Sequence, residues 1–165
     1  LVNQLLSLAR AEPAGERVQA SEVIDLARLA REATMEWVPR ALEHDVDLGF
    51  DTDSAHAQVE GDPFLLREML NNLLDNAIRY SHRDNGHVTV RVARDGAHPV
   101  LTVEDNGPGI PESERKQVFE RFYRVLGTGA DGCGLGPAIV HEIARSSGSP
   151  GDRFITSAHC FLLLL

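Results

Sequence analysis

Three groups of residues have the types and spacing to bind a base and its phosphates. The hexapeptide Asp105-Asn106-Gly107-Pro108-Gly109-Ile110 follows Val100-Leu101-Thr102-Val103, which reads as a buried strand. Asp105 therefore stands where a strand ends and a tight turn begins. Glycines on either side of a proline let the backbone pass close to a flat ligand that any Cβ would obstruct. A carboxylate at the mouth of such a turn accepts a hydrogen bond from an exocyclic amine, which is what an adenine pocket needs. An ordinary turn has the same composition, so the hexapeptide alone leaves both readings open.

The second group lies upstream. Leu66, Leu70, Leu73, Leu74, Ala77 and Ile78 recur at helical spacing and give one apolar face. Asn72 and Asn76, four residues apart, stack on a neighbouring stripe. Asparagine is a poor interior helix residue because its side chain competes for backbone hydrogen bonds. Asn71, Asn72 and Asn76 with Asp75 thus cost helix stability without an evident packing return. A solvated polar face is the alternative, but such faces usually carry Glu, Lys and Arg. An amide oxygen is a hard, neutral ligand suited to Mg²⁺, which is commonly held jointly with nucleotide phosphates.

The third group is Gly132-Cys133-Gly134-Leu135-Gly136-Pro137, a Gly-rich loop running into a helix. Its N–H groups and the positive end of the helix dipole suit phosphate, and Pro137 fits a first turn that lacks N–H partners. Between the first and third groups, Val118 to Arg124 and the polar stretch Gly127 to Gly132 read as a lid hinged on Phe119 and Phe122. Arg124 could then swing toward a γ-phosphate.

These blocks, in this order, resemble the four sequence boxes of the catalytic ATP-binding domain of bacterial sensor histidine kinases. That superfamily also holds gyrase, the ninety-kilodalton heat-shock chaperone and the mismatch-repair ATPases. The resemblance runs from about Val59 to Gly148, and looser similarity covers Trp37–Ala41 and Asp45–Phe50, which look like the first helix and strand of kinases related to tricarboxylate-responsive sensors. It implies that Asn76 coordinates Mg²⁺ and that Asn72 lies beside it near the phosphates. It further implies that Arg79 contacts phosphate, Tyr80 lies along the ribose or adenine, and Asp105 accepts from the adenine amine. Gly107 and Gly109 would leave room for the ring, and Ile110 and Phe119 would line the site. Gly132, Gly134 and Gly136, with Leu135 among them, would present backbone N–H groups to the phosphates. Asn72, Asn76 and Arg124 are the expected catalytic residues, and ATP and Mg²⁺ the expected ligands.

One position bears on the reaction. The ATP-hydrolysing relatives place a Glu four residues before the metal-binding Asn, where it serves as general base for water. Here that place holds Asn72, which cannot accept a proton near neutral pH. The resemblance therefore favours phosphoryl transfer to a histidine of a separate dimerisation module, and then to the Asp of a response regulator. A catalytically inactive nucleotide-binding module and a superfamily ATPase are the alternatives.

Of the seven histidines, His141 within His141-Glu142-Ile143-Ala144-Arg145-Ser146 faintly imitates the acceptor motif but lacks its proline. The acceptor is expected before residue 1. Leu1, Leu5 and Leu8, with Val2, Leu6 and Ala9, form an apolar helical stripe, so residues 1–12 resemble the end of a dimerisation helix and residues 13–165 the ATP-binding domain. The parent would be a homodimer. Residues 149–165 depart from the family pattern, with one strand possible at Phe154–Ser157 and another in the terminal Phe-Leu run.

The expected fold is α+β, a two-layer sandwich with helices on one face of a mixed sheet. Helices are predicted near 1–11, 21–41 (capped by Ser21), 63–80 (capped by Asp62, with Pro63 first), 112–118 and 137–147. Strands are predicted near 16–20, 45–50, 57–60, 87–94 and 99–104, the last two joined at Asp95-Gly96. A net charge of −9 argues against a nucleic-acid surface. Cys133 and Cys160 show no zinc spacing, and no apolar run reaches transmembrane length. These fit the cytoplasmic module of an inner-membrane sensor. A literal G-x-G-x-x-G at Gly127, Gly129 and Gly132 follows no strand, which counts against a dinucleotide fold.

Overall fold

The computed structural model describes residues 22–53, 57–82, 84–96, 98–115, 117–120, 123, 138–141, 143, 154–157 and 160–164. The predicted helix 1–11, the strand 16–20 and its neighbour Ser21 lie outside these residues, as does most of the lid.

Strand β1 (Glu22–Asp25) precedes helix α1 (Leu26–Glu43), followed by β2 (Val46–Thr52) and β3 (Gln58–Gly61). Helix α2 (Pro63–Tyr80) leads to β4 (Gly86–Asp95) and β5 (His98–Asp105), and the chain closes with β6 (Phe154–Ser157) and β7 (Cys160–Leu164). The main sheet has the order β2-β4-β5-β7-β6, with β2 parallel to β4 and the remaining pairs antiparallel. The parallel pair follows from the long crossover through β3 and α2, which returns the chain to the same end of the sheet. β1 and β3 form a separate two-stranded ladder. The mixed sheet and its helical layer match the expected class.

Two element boundaries correct the sequence reading. The helix predicted from Ser21 begins at Leu26, because residues 22–25 pair with β3 and Asp25 supplies the cap, its Oδ1 accepting from Arg28 N–H at 2.9 Å. The helix predicted over 112–118 is instead a turn at 112–115 and a 3₁₀ turn at Gln117–Phe119. There Glu114 N–H bonds Pro111 O, Gln117 N–H bonds Glu114 O and Glu120 N–H bonds Gln117 O, each three residues apart, with a single four-residue bond from Val118 N–H to Glu114 O. A segment this short cannot offset the cost of α-helix nucleation.

The core lies between the helices and the sheet. On α2, Leu66, Met69, Leu70, Leu73, Leu74, Ala77 and Ile78 are essentially buried, confirming and widening the predicted face. They meet Val88, Val90 and Val92 of β4 and Leu101 and Val103 of β5. Strand alternation turns His87, Thr89 and Arg91 outward, where Arg91 pairs with Asp51 at 2.7 Å. Ile139, Val140 and Ile143 join the same core from the helical residues at 138–141 and 143. The atypical tail still contributes both of its anticipated strands, with β7 adding to β5 from Val100 opposite Leu164 to Glu104 opposite Cys160.

Candidate functional site

Helix α2 starts as the sequence predicts: Asp62 Oδ1 accepts from Phe64 N–H at 2.8 Å and Leu65 N–H at 3.3 Å, with Pro63 in the first turn. Its three asparagines then separate in role. Asn71 Oδ1 accepts from Trp37 Nε1–H of α1 at 2.9 Å, so this residue does have a packing return. Asn72 is 8% exposed, and its Nδ2 donates to Glu68 O at 2.7 Å. Asn76 is half-buried and, alone of the three, has no side-chain hydrogen bond among the described residues. Asn72 thus commits its N–H donor to its own helix and keeps only its Oδ1 acceptor, whereas Asn76 keeps both ends of its amide uncommitted among the described residues.

One turn on, Arg79 Nε is buried 2.9 Å from Asp75 Oδ2, and Asp75 Oδ1 lies 3.6 Å from Arg40 Nε of α1. Asp75 thus holds an arginine from each helix. The Asp75–Arg79 arm has the i,i+4 spacing of a helical pair, but the Arg40 arm carries no signal in the sequence, since Arg40 is 35 residues from Asp75 and only packing of α1 on α2 joins them.

The turn after β5 faces the end of α2. Asp105 Oδ1 accepts from Gly107 N–H at 2.8 Å, an Asx turn that sets the carboxylate at the strand's mouth. Gly109 has φ +73°, the left-handed conformation that glycine adopts without strain. Gly107 is needed for a reason that the sequence does not suggest. A Cβ there would overlap the Tyr80 carbonyl oxygen and lie 2.9 Å from Asp105 Oδ1, so it makes room for the backbone at the end of α2. Ile110 packs half-buried against the core, and Arg115 Nε–H donates to its carbonyl at 3.2 Å.

The structure therefore brings Asn76, Arg79, Tyr80, Asp105, Gly107, Gly109 and Ile110 to one end of the α2–β5 layer. Phe119 lies in the 3₁₀ turn beyond it. Beside that turn, Tyr123 O–H donates to Glu114 Oε2 at 3.0 Å. Partial desolvation, that hydrogen bond and the charges of Glu114 and Glu120 hold the phenol above its ordinary pKa of 10.0. Arg124, Gly132, Gly134, Leu135 and Gly136 lie outside the described residues.

Residues 61–159 match the family model of histidine kinase-, DNA gyrase B-, and HSP90-like ATPases. The chain belongs to this family. Among relatives of this ATPase domain is the signal transduction histidine-protein kinase/phosphatase MprB of Mycobacterium bovis (strain BCG / Pasteur 1173P2). It is 42% identical over 150 residues, a match covering 90% of this chain and 28% of the relative. The chain thus spans little more than a quarter of the curated relatives it matches. The solved mycobacterial sensor histidine kinase MprB superposes with TM-score 0.69 at 31% identity, covering 88% of this chain and 97% of that one. Full-length ShkA in complex with AMPPNP superposes with TM-score 0.77 at 27% identity, covering 98% of this chain and 34% of ShkA. The domain is a histidine kinase ATPase domain of the two-component type.

Proposed function

We propose that this ATPase domain binds Mg²⁺·ATP and transfers the γ-phosphoryl group to a histidine of a separate dimerisation module, which passes it to an aspartate of a response regulator. The observation that carries the reading is the convergence of the uncommitted Asn76 amide with the Asp105 turn, both at the C-terminal end of α2. The ShkA relative, described in complex with AMPPNP, supports a nucleotide ligand for this fold.

The residues fit the metal and nucleotide. Asn76 offers a neutral amide oxygen, the donor Mg²⁺ accepts alongside phosphate oxygens and water. The ion would neutralise charge on the phosphates as the transfer proceeds. Asp105 can accept from an adenine amine while keeping its bond from Gly107 N–H, because a carboxylate has about four acceptor sites. Arg79, its guanidinium steadied by Asp75, supplies positive charge on the phosphate side. Arg124 and the loop bearing Gly132, Gly134, Leu135 and Gly136 would complete the phosphate contacts. Chemistry of this kind depends on positioning and charge neutralisation more than on covalent participation by the domain.

Asn72 favours kinase over ATPase. Its amide is buried and donates to Glu68 O, so no group at that position can take a proton from water. The acceptor module would be the parent protein's own, in a homodimer, with residues 1–12 as the end of its second helix. We place the domain on the cytoplasmic side of a membrane-bound sensor; among the described residues no helix is long and apolar enough to cross a membrane. Calorimetric titration of the 165-residue chain with ATP, with and without Mg²⁺, tests the reading. Metal-dependent binding is expected, and a folded chain that ignores both ligands would refute it.

A further inference from the structure

Asn106 has no part in the site as described so far, yet it ties the Asp105 turn to a distant segment. Its Oδ1 accepts from His87 N–H at 3.0 Å and from His82 N–H at 3.4 Å, while its Nδ2 donates to Asn85 O at 2.6 Å. Its own N–H donates to His87 O at 3.1 Å. All of these partners lie in the connection from α2 to β4 or at its first strand residues. That connection is itself packed tightly: a Cβ on Gly86 would lie 2.8 Å from Val46 Cγ2 and 2.9 Å from His82 O. The Asn106 amide thus uses its acceptor and its donor together to clasp the turn to an anchored segment.

The clasp adjoins the carboxylate on one side and the Gly107–Tyr80 approach on the other. The Asp105 backbone stands opposite Val88 in the β4–β5 ladder, its Oδ1 accepts from Gly107 N–H, and Gly107 is held against Tyr80; the last two restraints act within the turn and the helix end. Asn106 supplies the link from the turn to the connection leading into β4. The candidate phosphate-side residues Asn76 and Arg79 sit on α2 and do not depend on that link.

We infer that Asn106 is a positioning residue for base recognition: it sets the Asp105 carboxylate and so governs the preference for adenine over guanine nucleotides without touching the nucleotide. This deepens the nucleotide-binding reading and rests on it. Losing one or two such hydrogen bonds is expected to lower the ATP-over-GTP affinity ratio by about tenfold. The Mg²⁺ dependence of ATP binding, set on α2, is expected to stay unchanged.

The test is calorimetric titration of the full chain and its Asn106→Ala variant with ATP and with GTP. Amide hydrogen exchange of His82 and His87 is followed in parallel without nucleotide. The proposal expects a reduced ATP-over-GTP ratio, an unchanged effect of Mg²⁺ and faster exchange at both amides. Faster exchange with an unchanged ratio would make Asn106 merely structural and overturn the proposal, as would unchanged exchange. If Asn106→Ala does not fold by circular dichroism, Asn106→Asp is judged on the ATP-over-GTP ratio alone, since it keeps the acceptor for the His82 and His87 amides and sets a carboxylate against Asn85 O; an unchanged ratio there overturns the proposal. A wild-type chain that binds neither nucleotide overturns the nucleotide reading itself and the proposal with it. Wild-type binding with full selectivity retained in a folded variant overturns this proposal alone.

Discussion

Gly107 lies so close to Tyr80 that a Cβ on the glycine would overlap the tyrosine's carbonyl oxygen. This contact joins the last turn of α2 to the turn after β5, so the two halves of the candidate site share one backbone junction. The neighbour is backbone and cannot rotate away. Gly107→Ala is therefore expected to force the turn off the helix end, destabilising the domain by about 1–3 kcal/mol. Thermal unfolding and ATP titration of the same sample should both decline, and a variant equal to wild type in both would show that the junction yields freely.

Asn76→Ala removes the one amide of the α2 asparagines that has no hydrogen bond among the described residues. No partner among the described residues is left unpaired by its removal, so the melting temperature is expected to hold. Mg²⁺-dependent nucleotide binding should vanish in calorimetry. Retained metal dependence would transfer the ligand role elsewhere.

Asp105→Ala removes both the acceptor proposed for the adenine amine and the Asx turn to Gly107. A hydrogen bond to a charged partner contributes roughly 1.5–3 kcal/mol, so ATP affinity should fall by about tenfold or more while GTP affinity changes little. Competition binding of the two nucleotides measures this directly. Equal losses for both would place Asp105 in the scaffold and not at the base.

Trp37→Phe keeps most of the ring's bulk and deletes the N–H that Asn71 Oδ1 accepts. The expected cost is about 1 kcal/mol in chemical denaturation, with nucleotide affinity unchanged. A large loss of affinity at unchanged stability would instead make the α1–α2 contact part of the binding machinery.

Tyr123 gives a pH-dependent signature. Its folded pKa is raised by partial desolvation and by Glu114, so folding favours the neutral phenol. The associated stability is complete below the ordinary value of 10.0 and is lost as the pH climbs through the raised folded value. In a Tyr80→Phe background Tyr123 is the remaining one of the two tyrosines, and its phenolate absorbance should appear above that ordinary value. Glu114→Gln should draw the midpoint back toward it; an unmoved midpoint would leave desolvation and the Glu120 charge as the causes.

Much of this was legible in the chain itself. The α2 face from Leu66 to Ile78, its Asp62–Pro63 start and the Asp95-Gly96 turn rest on local signals: a period of 3.6, a capping side chain and a glycine at φ +60°. Such signals act over a few residues, and neighbours along the chain carry them whatever the tertiary fold. The start of α1 was misplaced because Ser21 and Asp25 are both good caps. Pairing of residues 22–25 with β3, more than thirty positions downstream, decided between them.

The candidate site divides in the same way. The Asn-rich helix and the Asp-Gly-Pro-Gly turn are visible as residue types at fixed spacing, because ligand chemistry demands particular donors whatever surrounds them. How much of each asparagine amide remains available was decided only when Trp37 N–H came to rest on Asn71 Oδ1 and Asn72 Nδ2 turned back on Glu68 O. Likewise the reason for Gly107 and the clasp of Asn106 arise where α2, its connection to β4 and the end of β5 meet. Composition and periodicity select elements and donors, but close approach between segments distant in the chain is a property of packing. Only the tertiary structure turns a polar residue into a ligand-facing group or into a brace for one.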